Sequence, residues 1–284
     1  YDPQLIEILC FNYRIVYEPK ATTFHWHGIN QSLDEKRCSE IVNILEKLNY
    51  IDTKKTNVLK LKNLKCAAII PAKGDSILLE KKIPLLKVAI NQIKKSKLVD
   101  DIYLDTDSLN NKKIALKEGI KTPFLRSKKY SSFYVDIITV VRNFLSKIEK
   151  QNKFYDLILI LTENFPFRPK GIFDNMIQNI IKNNYDCLLA TQNLRGSVFI
   201  KENNKISNLI DGTVPPKLTN KQALLARLGT CCVLRTSKLR TGKILDGKIG
   251  YYKVNNPFSF VEVNKANINK FNVKNFKNIL SNEL

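Results

Sequence analysis

The sequence predicts an α/β protein with a doubly wound, mostly parallel sheet. From residue 66 onward, short apolar runs alternate with amphipathic segments, turn-forming residues bound the runs, and polar side chains follow several of them. This alternation is typical of a parallel sheet covered by helices on both faces. In such a sheet, ligands bind at the carboxyl ends of the strands. The 284 residues are enough for one large domain, or for one domain with a small appended segment.

The elements follow in chain order. The first apolar run, residues 66–72, is bounded by turn residues and is expected to be a buried strand, and a second strand begins at residue 101. Apolar residues at helical spacing, or a glycine that ends the run, predict helices at residues 85–96, 111–118, 135–150 and 171–182. Further strands are predicted at residues 156–161, 186–191, 229–234 and 249–254.

The first part of the chain, residues 1–49, differs in character from the rest, and about 50 residues can hardly bury a core alone. It holds both histidines, His25 and His27. Two positions apart on a strand, they would point the same way and could bind a metal, although an aromatic–histidine patch at a domain edge explains them more simply. Residues 50–65 are rich in lysine and asparagine and are predicted to form a linker.

The composition argues against nucleic-acid-binding, membrane-spanning and zinc-binding functions. The net charge is +21, from 47 basic and 26 acidic residues, but the lysines are spread along the whole chain. This spread indicates a residue-usage bias, so we expect no nucleic-acid partner, although the positive field would attract small anions. No apolar run approaches the roughly 20 residues that cross a bilayer. The six cysteines form no C-x-x-C pair, which argues against a zinc site, and four lie in apolar segments, as expected for core thiols in a reducing cytoplasm.

Four places could carry chemistry. Residues 73–76, Lys-Gly-Asp-Ser, follow the first strand, and a glycine, a lysine and a serine suit a phosphate group. Residues 105–107, Asp-Thr-Asp, follow the second strand, and residues 162–168 follow the strand predicted at 156–161. These three places should meet at one edge of the sheet because each directly follows a buried strand. The fourth place is residues 262–264, Glu-Val-Asn.

Each place also has a purely structural interpretation. Asp75 and Asp107 are good helix N-caps or turn formers. Arg168 could neutralise a nearby carboxylate. Glu262 and Asn264 would share one face of a strand, which could be a solvated edge.

The order and spacing of these motifs resemble the cytidylyltransferases that make CMP-activated acidic sugars, the CMP-sialic acid synthetase family, over residues 66–269. Residues 69–76 read Ile-Ile-Pro-Ala-Lys-Gly-Asp-Ser where the family has I-I-P-A-R-G-G-S. The other similar segments are residues 83–86 (K-P-L-I in the family), 96–107 (S-G-L-F-D-x-V-x-V-S-T-D), 123–126 (P-F-x-R), 160–168 (L-L-Q-P-T-S-P-L-R), 250–254 (G-Y-Y-x-V) and 262–264 (D-I-D).

The resemblance implies a nucleotide-diphospho-sugar transferase-like fold and a reaction in which a sugar hydroxyl attacks the α-phosphorus of CTP in the presence of Mg²⁺. It implies catalytic roles for Lys73, Asp107 and Arg168, with Arg168 on the sugar carboxylate because a fork of donors suits that group. The implied nucleotide-binding residues are Ala72, Lys73, Gly74, Ser76, Lys82 and Asp107. The implied sugar-binding residues are Arg168 and Gln222, and the implied metal ligands are Glu262, Asn264 and Asp107.

The sequence also departs from the family pattern. The family loop is longer and carries a phosphate-binding lysine, for which Lys81 or Lys82 is the candidate substitute. Lys73 replaces an arginine and loses its bidentate geometry. Glu262 and Asn264 replace two aspartates, so the metal site loses a charge. Three hypotheses stay open: a cytoplasmic CMP-sugar synthetase, a catalytically impaired nucleotide-binding or scaffolding domain, and a nucleotidyltransferase for another nucleotide or sugar.

Residues 1–49 resemble the C-terminal end of a family-2 inverting glycosyltransferase domain. Residues 12–21 read Asn-Tyr-Arg-Ile-Val-Tyr-Glu-Pro-Lys-Ala for G-Y-x-I-x-Y-E-P-x-A, and residues 25–28 read His-Trp-His-Gly for H-x-H-G. The chain begins at Tyr1 rather than at a methionine, so we expect a longer natural protein with a glycosyltransferase upstream. Residues 66–284 would then be its cytidylyltransferase-like domain, serving cell-surface glycan and lipopolysaccharide biosynthesis. Because family members often pair, a homodimer is expected.

Overall fold

The computed structural model describes residues 64–79, 83–194, 196–212 and 223–266. The glycosyltransferase-like segment 1–49, with both histidines, and nearly all of the predicted linker lie outside these ranges. So do Lys82 and Gln222, two of the predicted binding residues.

The described residues form strands and helices in alternation. In chain order the strands are β1 (Cys66–Ala72), β2 (Leu78–Leu79), β3 (Ile83–Pro84), β4 (Asp101–Thr106), β5 (Leu157–Ile160), β6 (Cys187–Leu194), β7 (Val198–Glu202), β8 (Lys205–Ile210), β9 (Ala223–Ala226), β10 (Cys232–Arg235) and β11 (Ile249–Lys253). The helices are α1 (Leu85–Ile93), α2 (Leu109–Lys117), α3 (Ile137–Glu149), α4 (Ile172–Lys182) and α5 (Thr236–Thr241), with 3₁₀ turns at Lys128–Ser131 and Pro257–Phe260.

A seven-stranded sheet runs in the order β11-β6-β10-β5-β1-β4, with β9 also paired to β6. β1 lies between β4, the edge strand, and β5 and is parallel to both: Ile69 is the register partner of Tyr103 in β4 and of Ile160 in β5. β10 lies antiparallel between β5 and β6, and β11 is parallel to β6. The predicted mostly parallel sheet is therefore confirmed.

The core lies on both faces of the sheet. Successive residues of β1 point to opposite faces because the side-chain period of a strand is two. Ala68 and Ile70 pack with apolar residues of α1 and α4, whereas Ala67 and Ile69 pack with those of α3. Helices thus cover both faces, as the doubly wound prediction requires. The thiols of Cys66, Cys187, Cys231 and Cys232 are buried and free, which confirms the prediction of core cysteines.

Two features differ from the prediction. The hairpin of β7 and β8 forms a separate two-stranded sheet, and neither it nor β9 was predicted. The strand predicted around Glu262 and Asn264 is wrong, because residues 261–264 form no strand. Val263 instead donates its backbone N–H to the carbonyl of Asn164 at 2.7 Å, and its side chain is buried against α1.

No helix in the described ranges is long and apolar enough to span a membrane.

Candidate functional site

The structure brings the loop after β1 and the end of β4 together at the carboxyl edge of the sheet. The backbone N–H of Gly74 donates a hydrogen bond of 2.8 Å to Oδ1 of Asp107. Gly74 has a φ of +63°, the left-handed conformation that glycine adopts without steric cost. The helix-capping interpretation of Asp107 is wrong, since Ser108 is the N-cap residue of α2. Asp107 holds the loop instead.

Side chains at the start of α2 fix the rest of this loop. The N–H of Ser76 donates to Oδ1 of Asn111 at 3.0 Å, and Nδ2 of Asn111 donates to the carbonyl of Gly74 at 2.7 Å. Asp75 accepts hydrogen bonds from the hydroxyl of Ser108 and from Nδ2 of Asn110. The hydrogen bond from Ser108 is the main cause that lowers the pKa of Asp75. The loop therefore takes its shape from α2.

A buried carboxyl group closes the other side of the loop. The hydroxyl of Ser76 donates to Oε2 of Glu163, a residue in the loop after β5 that is 5% exposed. The same hydroxyl accepts the N–H of Leu86 at 3.0 Å, in the first turn of α1. Burial raises the pKa of Glu163 to about 7, although the hydrogen bond from Ser76 lowers it. Glu163 can therefore gain or lose a proton near neutral pH while it contacts the loop.

Arg126 joins three parts of the site. It is 8% exposed, and its Nη2 donates to the carbonyl of Ala72 at 2.7 Å. Its Nη1 lies 3.5 Å from Oδ2 of Asp105, and Nη2 lies 3.9 Å from Oδ1 of Asp107. Burial raises the pKa of Asp105 to about 6, against the attraction of Arg126. Arg126 thus lies close to both carboxylates at the carboxyl end of β4, Asp105 within the strand and Asp107 just after it.

Sequence reasoning missed several of these residues. Arg126 stands in the Pro-Phe-Leu-Arg segment that resembles the family, but the motif alone gave it no role. Ser108 carries an N-cap signal, because serine is a preferred N-cap residue. Asn111 lies three residues later in the helix that Ser108 starts. That signal predicts the helix start but not the contact with a loop 35 residues earlier in sequence. Glu163 lies in residues 160–168, which match the family motif only loosely. No sequence pattern therefore predicted that it is buried.

Lys73 is exposed at the outer side of the same loop. Its ammonium group lies 3.4 Å from the centroid of the Phe133 ring. Ala72 is buried at the end of β1. Both residues therefore lie beside Gly74, where the prediction needs them, while their contact with a nucleotide stays a prediction.

Arg168 is 2% exposed and holds the turn between β9 and β10. It donates to the carbonyl oxygens of Thr162, Gly229 and Thr230, and its Nη1 donates to Oε1 of Gln92 at 3.1 Å. Beside it lies a cavity of about 120 Å³ between the ends of α1 and α4. These contacts give Arg168 a positioning role, and its contact with a sugar carboxylate stays a prediction.

Glu262 lies beside the loop that carries Glu163. Its Oε1 accepts a hydrogen bond of 3.4 Å from Nδ2 of Asn164, whereas Oδ1 of Asn264 accepts the N–H of Ala266 at 3.0 Å. Within the described ranges, no group of three or more histidine, cysteine, aspartate or glutamate side chains could hold a metal ion. Mg²⁺ usually takes only one or two protein carboxylates together with substrate phosphates, so the predicted metal site stays a prediction.

Comparisons with known proteins identify the family of this chain. A family model described as Cytidylyltransferase matches residues 67–265. The pseudaminic acid cytidylyltransferase of Campylobacter jejuni is 29% identical over 157 residues, which are 51% of this chain and 66% of that protein. The CMP-N,N'-diacetyllegionaminic acid synthase of Legionella pneumophila is 30% identical over 99 residues, 35% of this chain and 42% of that protein. The aligned part of the chain thus spans less than two thirds of the length of these relatives.

Solved structures share the fold at low identity. The 4-diphosphocytidyl-2C-methyl-D-erythritol synthase of Anaerococcus prevotii is 13% identical, with a TM-score of 0.56, over 75% of this chain and 99% of that one. A CMP:2-keto-3-deoxy-manno-octonic acid synthetase, solved in complex with CTP, is also 13% identical, with a TM-score of 0.54, over 78% of this chain and 100% of that one. The resemblance of residues 66–269 to cytidylyltransferases is confirmed: the chain belongs to the cytidylyltransferase family.

Proposed function

We propose that this protein activates an acidic sugar of the nonulosonic type with CTP, giving a CMP-sugar and pyrophosphate. The observation that carries the proposal is the loop 73–76, which is held at the carboxyl edge of the sheet between Asp107 and Glu163. Open α/β sheets bind ligands at this edge. Family membership supports CTP as the nucleotide, and the names of the curated relatives support an acidic sugar.

The triphosphate would bind where Asp107 now contacts the loop. A carboxylate oxygen that accepts the N–H of Gly74 stands where a phosphate oxygen would accept it, because both are anionic acceptors. Binding of CTP would then exchange one acceptor for the other and free Asp107. Lys73 would supply positive charge, as would Lys82, which lies outside the described ranges. Such binding lowers the barrier by positioning and by neutralising charge, as in other phosphoryl transfers.

The reaction forms a bond between the sugar hydroxyl oxygen and the α-phosphorus of CTP. It breaks the bond between that phosphorus and the oxygen that bridges the α- and β-phosphates. The hydroxyl proton is released to solvent, and pyrophosphate leaves with the electron pair of the broken bond. Mg²⁺, held by Asp107 and Glu262 with Asn264 as a neutral oxygen ligand, would neutralise the phosphates. The sugar carboxylate would bind Arg168 and Gln222. For Arg168, that contact requires an exchange of its carbonyl partners.

The test is pyrophosphate release by the purified protein with CTP, Mg²⁺ and a panel of pseudaminic, legionaminic, sialic and 2-keto-3-deoxy-manno-octonic acids. We expect release with at least one of these acids, a matching CMP-sugar by mass spectrometry, loss of turnover with EDTA and recovery with Mg²⁺. Asp107→Asn should bind CTP with little turnover, because the amide keeps an acceptor for Gly74 but loses the charge.

Other outcomes would favour the alternatives. Measurable CTP binding without turnover for any acid would favour the impaired nucleotide-binding or scaffolding domain, which the short loop and the Glu262–Asn264 pair also support. Turnover only with ATP, GTP or UTP, or with a neutral sugar, would favour a nucleotidyltransferase of another specificity.

We also propose a wider setting for the enzyme. The resemblance of residues 1–49 supports an upstream glycosyltransferase and a role in cell-surface glycan or lipopolysaccharide assembly in the cytoplasm. The pairing of family members supports a homodimer. The gene sequence before the codon for Tyr1 tests the first point, and light scattering on the purified protein tests the second.

A further inference from the structure

Lys73 does not extend freely from the loop. Its ammonium group lies over the face of Phe133, 3.4 Å from the ring centroid. A cation within about 6 Å of an aromatic face is attracted by the ring quadrupole. Phe133 is 93% exposed, so the rest of the described chain covers little of its side chain. Its described ring contact is with Lys73 of the loop 73–76.

One buried side chain contacts the two chain segments that carry this pair. Nη2 of Arg126 donates to the carbonyl of Ala72, next to Lys73, at 2.7 Å. Nε of the same guanidinium donates to the hydroxyl of Ser131, two residues before Phe133, at 3.3 Å. A planar guanidinium with two such contacts holds both chain segments at a set distance. Arg126 thus keeps the segments that carry Lys73 and Phe133 close to each other.

We infer that Phe133 is a positioning residue, which holds the ammonium group of Lys73 at the entrance of the nucleotide site. A lysine has a long side chain with many rotamers, and ordering it on binding costs affinity. Restricting it beforehand lowers that cost. The inference rests on the proposed function, since the anion that Lys73 would meet is the triphosphate of CTP.

The first experiment measures CTP affinity by calorimetry in a double-mutant cycle of Lys73→Met and Phe133→Leu. We expect Phe133→Leu to weaken CTP binding about two- to five-fold, the range of an exposed cation–π contact, with no further loss in the Lys73→Met background. Phe133→Trp should bind CTP at least as well as the natural protein. The matched control is Tyr134→Leu, which removes a neighbouring aromatic residue that is 99% exposed and should leave the affinity unchanged.

An equal loss for Phe133→Leu in both backgrounds, or a loss for Phe133→Trp as large as for Phe133→Leu, would overturn the inference. A second readout needs no nucleotide. After reductive ¹³C-dimethylation, which keeps the charge, the NMR signal of Lys73 should be shifted upfield by the ring and return to the position of free lysine in Phe133→Leu. Its assignment follows from its disappearance in Lys73→Arg.

The two readouts separate the inference from the proposed function. If the natural protein binds no CTP but the Lys73 signal is shifted by Phe133, the proposed function fails and the positioning contact stands. If CTP binds and is turned over but the Lys73 signal is the same with and without the ring, the inference fails and the proposed function stands.

Discussion

Ser76 donates a hydrogen bond to Glu163, a buried carboxyl group 87 residues further along the chain. This contact connects the loop after β1 with the loop after β5. The hydroxyl of Ser76 also accepts the N–H of Leu86, which has no intrahelical partner because it lies in the first turn of α1. The carboxyl group of Glu163, whose pKa is about 7, therefore contacts the hydroxyl that holds the loop after β1 and the start of α1.

Replacing Glu163 by glutamine should remove one source of pH dependence from the stability of the protein. Burial raises the pKa of Glu163 from 4.5 to about 7, so between these values the folded state binds more protons than the unfolded state. The free energy of unfolding therefore falls as the pH rises from about 4.5 to about 7 and is level above that. Glutamine does not titrate, so Glu163→Gln should gain up to roughly 3 kcal/mol over the natural protein between pH 4.5 and pH 8.

Urea denaturation at pH 5 and pH 8 measures this difference. Glu202→Gln, which removes an exposed glutamate from the β7–β8 hairpin, is the control and should show no comparable change with pH. The same stability difference between Glu163→Gln and the natural protein at both pH values would contradict the burial of an ionisable group at this position.

Gly74→Ala should reduce both stability and CTP binding, whereas Gly119→Ala should reduce stability alone. The two glycines have φ values of +63° and +71°, and a Cβ at either position would meet no atom within 4 Å. The backbone penalty should therefore be similar, about 1–2 kcal/mol each. Gly74 lies in the candidate nucleotide loop, whereas Gly119 follows α2. Thermal denaturation and calorimetry with CTP measure both effects, and equal CTP affinity of the two variants would exclude Gly74 from the site.

Arg126→Met should destabilise the protein by about 3–5 kcal/mol, because it leaves the buried Asp105 without its counter-charge. The loss should be larger at pH 8 than at pH 5, since the pKa of Asp105 is already raised to about 6 and rises further without Arg126. In Asp105→Asn/Arg126→Met the charge is gone, so much of the stability should return. Urea denaturation of the three proteins tests the pair, and a double variant no more stable than Arg126→Met would show that the ion pair is not the cause.

Arg168→Lys distinguishes a positioning role from a contact with the sugar. Lysine cannot reproduce the hydrogen bonds to Thr230, Gly229 and Gln92 at once, so we expect a loss of at least about 2 kcal/mol. If Arg168 acts only by holding the turn before β10, KM should rise for CTP and for the sugar together. A raised KM for the sugar alone, with an unchanged melting temperature, would instead assign Arg168 to the sugar carboxylate.

The sheet and its helices were predictable because their signals are local. The runs that form β1 and β5 are buried along almost their whole length, as parallel strands covered by helices on both faces require. The direction of β10 was not predictable, since a run such as Cys-Cys-Val-Leu is equally apolar in either orientation. The β7–β8 hairpin did have a signal: Asn203 and Asn204 both have positive φ, and asparagine favours this conformation at the turn of a hairpin.

The site was predictable only in outline. The loop 73–76 follows β1, and Asp105 and Asp107 lie at the carboxyl end of β4; such strand ends are visible in the sequence. The partners that shape the loop are not visible, because Asn111 and Glu163 reach it from 35 and 87 residues away. Contacts of that range are set by packing of the helices on the sheet rather than by any local pattern.

The hairpin of β7 and β8 belongs to an excursion whose two ends, Leu194 and Ala223, are register partners in the pairing of β6 with β9. Because the segment leaves β6 and re-enters the sheet at paired residues of β6 and β9, its length can change without disturbing the strands of the main sheet. Loop length contributes only slowly to the cost of such closure. Residues 198–210 are accordingly a place where an engineer can graft a new segment while the carboxyl edge of the sheet keeps its shape.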